Sequence, residues 1–75
     1  MNDWIDMRKE QPEDEAFVLI HGFGWKDWYY EPAIYRRGGK LFQRCSNFMS
    51  MIDEQLVEYW MKIPPVPERK DNAHD

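Results

Sequence analysis

The chain has 75 residues, which sets a single domain near the lower size limit for unaided folding, since a domain this short buries only about 60% of the surface its unfolded chain exposes. A net charge of −4 argues against general attraction to nucleic-acid phosphates. Cys45 is the sole cysteine, so the disulfide framework usual in small secreted domains is excluded. The remaining resource for a core is aromatic: four Trp, four Tyr and four Phe, 16% of the chain. Rings that bury roughly 150–250 Å² each let a few residues do the work of many.

From the N-terminus, residues 1–10 carry no apolar run of signal-peptide type, and no stretch approaches the roughly 18 apolar residues of a membrane span. The expected compartment is the cytoplasm. Trp4-Ile5 reads as an aromatic anchor that ties an N-terminal arm to whatever follows. Glu10, Glu13, Asp14 and Glu15 surround Pro12 and read as a solvated acidic turn. Phe17-Val18-Leu19-Ile20 is a short apolar run rich in β-formers, which predicts a buried strand over residues 17–22, ended by Gly22 and Gly24.

Residues 29–37 and 40–45 form the best hairpin in the chain. Gly38-Gly39 lies between them and predicts a two-residue turn with positive φ values, which sets Tyr35 opposite Phe42 and Arg36 opposite Leu41. Phe48, Ile52 and Leu56 recur at helical spacing behind the capping-box pattern Ser50 to Asp53, which predicts a short helix near 48–55. Val57 to Ile63 alternates and reads as a final strand. Pro64, Pro65 and Pro67 stop it, and the polar residues 68–75 read as a disordered tail. The predicted fold is mainly β: a three- to four-stranded antiparallel meander over residues 1–67, with an N-terminal arm and at most one short helix. A small open barrel and a small α+β fold with one helix fit the same pattern. Unpaired sheet edges would offer a route to a homodimer.

The spacing of Trp4-Ile5, Pro12 and Phe17-Val18-Leu19-Ile20, closed by Tyr59-Trp60-Met61-Lys62-Ile63-Pro64-Pro65, resembles a phage and prophage family catalogued as domain of unknown function 551. The likeness spans roughly residues 4–67. It departs at Tyr59, where family members often carry His, and at Gln11, often Leu. It implies a small accessory protein acting in a bacterial host cell, and it implies no activity or ligand.

No arrangement of catalytic or metal-binding type emerges. His21-Gly22-Phe23-Gly24 faintly resembles an oxyanion loop but has no nucleophile elbow to serve. His21, Cys45 and His74 are too few and too scattered for a structural metal. Cys45 reads as a small core or edge residue, and the Asp53-Glu54 pair has no cleft to work across. No enzyme activity and no cofactor are expected. The one unusual stretch runs from Phe23 to Tyr30, with five rings in eight residues: Phe23, Trp25, Trp28, Tyr29 and Tyr30. It reads either as core, with Trp25 or Trp28 folding back on the sheet, or as a protein-binding patch. Together with Arg36, Arg37, Lys40 and Arg44 it could alternatively stack and neutralise a single-stranded nucleic acid. The expected function is a non-enzymatic protein that binds a host or phage protein, with Phe23, Trp25, Trp28, Tyr29, Tyr30, Arg36 and Arg37 as the candidate binding residues and a nucleic-acid-binding module as the alternative.

Overall fold

The computed structural model describes residues 3–63. The prolines at 64, 65 and 67 and the tail predicted over 68–75 lie outside the described residues. The protein is mainly β: six strands in one antiparallel sheet, β1 (Ile5–Asp6), β2 (Phe17–Gly22), β3 (Glu31–Arg36), β4 (Leu41–Arg44), β5 (Met51–Asp53) and β6 (Val57–Lys62). The four strands expected from the sequence are present within two residues of their predicted bounds. The count of three to four is too low, because β1 and β5, of two and three residues, are too short to show a period. No described helix is long and apolar enough to cross a membrane.

The strand order is β1-β6-β2-β3-β4-β5. Strands β2 to β5 form a meander, as expected, but β6 returns to the far side of β2 and separates it from β1. This return has a geometric consequence. In a flat sheet β5 and β6 would stand four strand spacings apart, about 19 Å at ~4.8 Å each. Only residues 54–56 join them, and four extended Cα steps reach at most about 14 Å. Those three residues form a single 3-10 turn, which is shorter still. The sheet therefore curls until its ends approach, and the open-barrel alternative is the nearer description. The turn is pinned by two hydrogen bonds: the Glu54 amide donates to the Lys40 carbonyl at 3.0 Å, extending the β4–β5 ladder, and the Tyr35 hydroxyl donates to Glu54 Oε1 at 2.7 Å.

That turn replaces the helix predicted over 48–55. The spacing of Phe48, Ile52 and Leu56 was accidental: Ile52 is buried in β5, whereas Phe48 and Leu56 are about 60% exposed and share no face with it. Asp53, not Ser50, caps the turn, accepting from the Gln55 amide at 2.8 Å.

Inside the curl lie Val18, Ile20, Ala33, Tyr35, Phe42, Ile52, Val57 and Trp60, all buried. On β2 and β3 they come from alternate positions, and on β6 a register shift opposite His21 and Gly22 lets Val57 and Trp60, three residues apart, both be buried; register then brings them together: Ile20 opposite Trp60, Val18 opposite Ala33, Tyr35 opposite Phe42 opposite Ile52. The Tyr35 and Phe42 rings meet at 4.9 Å between centroids, the pair expected from the sequence. Its register is correct although the turn differs. Arg37–Gly39 makes a 3-10 turn, neither glycine has positive φ, and Lys40 takes the left-handed conformation at φ 54°.

The N-terminal segment closes the open mouth. Met7 and Pro12 are buried, and the Trp60 indole N–H donates to the Glu10 carbonyl at 2.8 Å. Trp60 is thus the core ring that anchors the arm. The acidic turn does more than sit in solvent. Asp14 accepts from the Arg37 amide at 2.9 Å, Arg37 donates to the Pro12 carbonyl at 2.9 Å, and Glu15 faces Arg36 at 3.6 Å, so the turn clasps the β3–β4 hairpin. Glu15 sits at φ 65° in a turn closed by the Ala16 amide on the Glu13 carbonyl, a site that favours glycine.

Glycine enters at one place because of space. A Cβ on Gly22 would lie 2.6 Å from the Trp25 ring and 3.0 Å from the Leu56 carbonyl oxygen. Gly22→Ala should destabilise by about 1–3 kcal/mol through overpacking. Glu15→Gly should instead raise stability by up to about 1 kcal/mol, since the exposed ion pair it removes is worth little. Thermal melts separate the two, at about 4–8 °C per kcal/mol for a domain of this size.

Candidate functional site

The connection from β2 to β3 is built of two successive β-turns. The first runs from Gly22 to Trp25, with Gly24 at φ 81° in the third position, the arrangement of a type II turn. The second is closed by the Tyr29 amide on the Lys26 carbonyl at 2.9 Å and sets Asp27 and Trp28 at its centre. Two tight turns in nine residues leave five rings no room to share one side, so they fan out.

Trp25 lies flat against Gly22 and packs partly buried on the core edge. From it a chain of ring contacts runs both ways. Trp25 meets Tyr29 at 5.2 Å, and Tyr29 meets Trp28 edge-on at 6.2 Å. On the other side Trp25 meets His21 at 6.0 Å, His21 meets Trp4 at 6.5 Å, and Trp4 meets Tyr30 at 5.7 Å. His21 Nδ1 lies 2.8 Å from the Tyr29 carbonyl. A carbonyl only accepts, so Nδ1 is the donor, and a neutral imidazole then keeps Nε2 as an acceptor. Trp28, at the tip, is 74% exposed, and Tyr30 is 52% exposed. The core and surface readings of this stretch therefore divide between residues: Trp25 supports, and Trp28 projects.

Phe23 points elsewhere. The Arg8 guanidinium stands 6.0 Å over its ring, in a separate recess of about 420 Å³ shared with Met7 and Gln11. Arg36 and Arg37 are also separate from the ring chain. They leave β3 at the end opposite the aromatic loop, and their cations serve the clasp and the Gln43 side chain, which accepts from Arg36 Nη2 at 2.9 Å. Of the candidate residues, the structure brings together Trp25, Trp28, Tyr29 and Tyr30. It adds Trp4 and His21, whose juxtaposition depends on β1, β6 and β2 being neighbours.

Beneath the loop sits a buried carboxylate. Glu31, 5% exposed, accepts two bonds from Arg44, at 2.6 and 2.7 Å, and one from the Tyr29 hydroxyl at 2.6 Å. The Arg44 hydrogen bonds, joined by that of Tyr29, hold its carboxyl below the usual range against the opposing effect of burial. The same bond pushes the Tyr29 hydroxyl up. Arg44 is thus committed to a bidentate partner. Burial pushes the Cys45 thiol up, which keeps it a protonated, weak nucleophile. Among the described residues no three His, Cys, Asp or Glu gather as a metal site would require.

A second exposed apolar group lies at the β4–β5 turn, where Phe48 is 60% and Met49 89% exposed. Comparison of the chain with protein-family models, curated proteins and solved structures returns no match.

The Glu31–Arg44 pair gives a pH signature. With its folded value depressed, Glu31 contributes stability that is fully present above the ordinary carboxylate value of 4.5 and is lost as pH falls through the lower folded value. Glu31→Gln should lower stability at pH 7 and flatten its fall between pH 5 and pH 2. Denaturant titrations of both proteins across that range measure the difference; parallel curves would contradict it.

Proposed function

We propose that this protein is a non-enzymatic binding module, an accessory protein of a phage or prophage, that recognises a host or phage protein through the aromatic ridge of the β2–β3 loop. The observation that carries the reading is the ring chain ending in Trp28, which is three-quarters exposed at the tip of a tight turn whose base is fixed by Trp25 and by the Glu31–Arg44–Tyr29 network. A large exposed ring on a rigid support loses little entropy on docking and is the residue type that dominates interface energetics. The phage setting is supported by the resemblance of the Trp4, Pro12 and Trp60 pattern.

The nucleic-acid alternative draws on Arg36, Arg37, Lys40 and Arg44, of which the three arginines have carbonyl, carboxylate or amide partners within the fold. Neutralising phosphates with them would mean giving up those bonds. The enzyme reading gains nothing from Glu31 or Cys45, which are held in states that disfavour proton transfer or attack.

Trp28→Ala should change thermal stability by no more than about 0.5 kcal/mol, as expected for an exposed turn residue. It should abolish capture of the partner from infected-cell lysate, whereas the same assay on Arg36→Ala should retain it. Equal capture by wild type and Trp28→Ala would remove the ridge as the recognition surface. Retarded migration of DNA or RNA at low salt, lost in the Arg36→Ala/Arg37→Ala variant, would favour the alternative.

A further inference from the structure

Beside the ridge, on the outer face of the sheet, is a recess of about 240 Å³ lined by Trp4, His21, Asp27, Tyr30 and Tyr59. We infer that this recess is a binding site for a quaternary or methylated ammonium group. The inference stands apart from the protein-binding reading, since Trp28 does not line the recess.

The walls arise from separate parts of the chain. His21 and Tyr59 are cross-strand partners on β2 and β6, and Asp6 of β1 pairs with Tyr59 from the other side, which brings Trp4 alongside. Asp27 comes from the second turn of the loop, and Tyr30 follows that turn. The Trp4 and Tyr30 rings stand 5.7 Å apart at 62°, and Trp4 and His21 stand 6.5 Å apart at 63°. Rings inclined at such angles form corners, so that one group seated in the corner lies close to two rings at once.

The lining is rich in groups that attract a cation. Ring faces carry the negative part of the aromatic quadrupole, and Asp27 adds a carboxylate. No lysine or arginine lines the recess. A cation held within about 6 Å of several ring centroids is attracted by each of them. Methylation favours binding further, because a methylated ammonium is poorly hydrated and gives up little on leaving water. Size supports a head group over a whole ligand, since pockets for drug-sized molecules begin at about 300 Å³.

The test is titration of the full chain with choline, with a trimethyllysine peptide, and with 3,3-dimethylbutanol, the uncharged isostere of choline, followed by tryptophan fluorescence and by amide and indole NMR shifts. Saturable binding of a charged ligand is expected, with shifts centred on Trp4, Tyr30 and Tyr59 and with the isostere about tenfold weaker or worse. Tighter binding of the peptide would assign the group to a modified protein, and equal binding would assign it to a free small molecule. Asp27→Asn and Tyr30→Ala change exposed loop residues, and each should weaken binding about fivefold or more with an unchanged circular dichroism spectrum. Trp28→Ala should bind the ammonium as wild type does. Absence of saturation with either charged ligand, equal affinity for the isostere, or full affinity in both recess variants would overturn the inference, as would loss of binding in Trp28→Ala.

Discussion

Three residues, Glu54 to Leu56, connect the edge strand β5 to β6 near the opposite side of the sheet, and the rest of the structure answers to that short link. Curling a single sheet on itself lets so short a chain exclude water from one face. The link makes the curl obligatory. The Tyr35–Glu54 hydrogen bond then fills the interior at the point where the curl is tightest. Burial and that bond push the Tyr35 hydroxyl up to about 12, so the phenol stays a neutral donor across the physiological range.

Curling also decides where the leftover surface lies. The core takes one side of every strand, and the N-terminal segment seals the mouth through Met7, Pro12 and the Trp60–Glu10 bond. Charged side chains that look like surface tools in the sequence are used as fastenings: Arg36 and Arg37 hold the acidic turn, and Arg44 neutralises Glu31. An aromatic group is left exposed at the end of the sheet where β2 leaves for β3, and Phe48 and Met49 are left exposed at the β4–β5 turn. The short edge strands, two and three residues long, present little backbone for another copy to pair with, so the edge route to a homodimer has a small template here.

Legibility in the sequence followed the range of the interaction. Strands β2, β3, β4 and β6 were readable because their signals are local: an apolar run in β2, a glycine pair between β3 and β4, alternation in β6. The Tyr35–Phe42 register was readable because four residues separate the two strands. The turn between them was misjudged in kind: the chain puts Lys40, not a glycine, in the left-handed region, which no composition rule would choose. β1 and β5 lacked enough residues to show a period, and a chance spacing of Phe48, Ile52 and Leu56 imitated a helix. The aromatic loop stood out by composition, yet the division between Trp25 and Trp28 did not, because it turns on the close approach of the Trp25 ring to Gly22, which a side chain there would block. Trp4, His21 and Tyr59 could not have been grouped at all without knowing that β6 lies between β1 and β2.

That last placement joins fold to surface. Had β6 continued the meander beyond β5, β1 would have no strand beside β2, and Trp4 would not reach His21 or Tyr30. The insertion of β6 between the first two strands therefore does two things with one topology. It supplies Trp60 and Val57 to the core from one side of the strand, and from the other it offers Tyr59 to the outer face, next to His21. A substitution that loosens the 54–56 link would consequently be felt in the aromatic recess as well as in the core, because the same strand carries both.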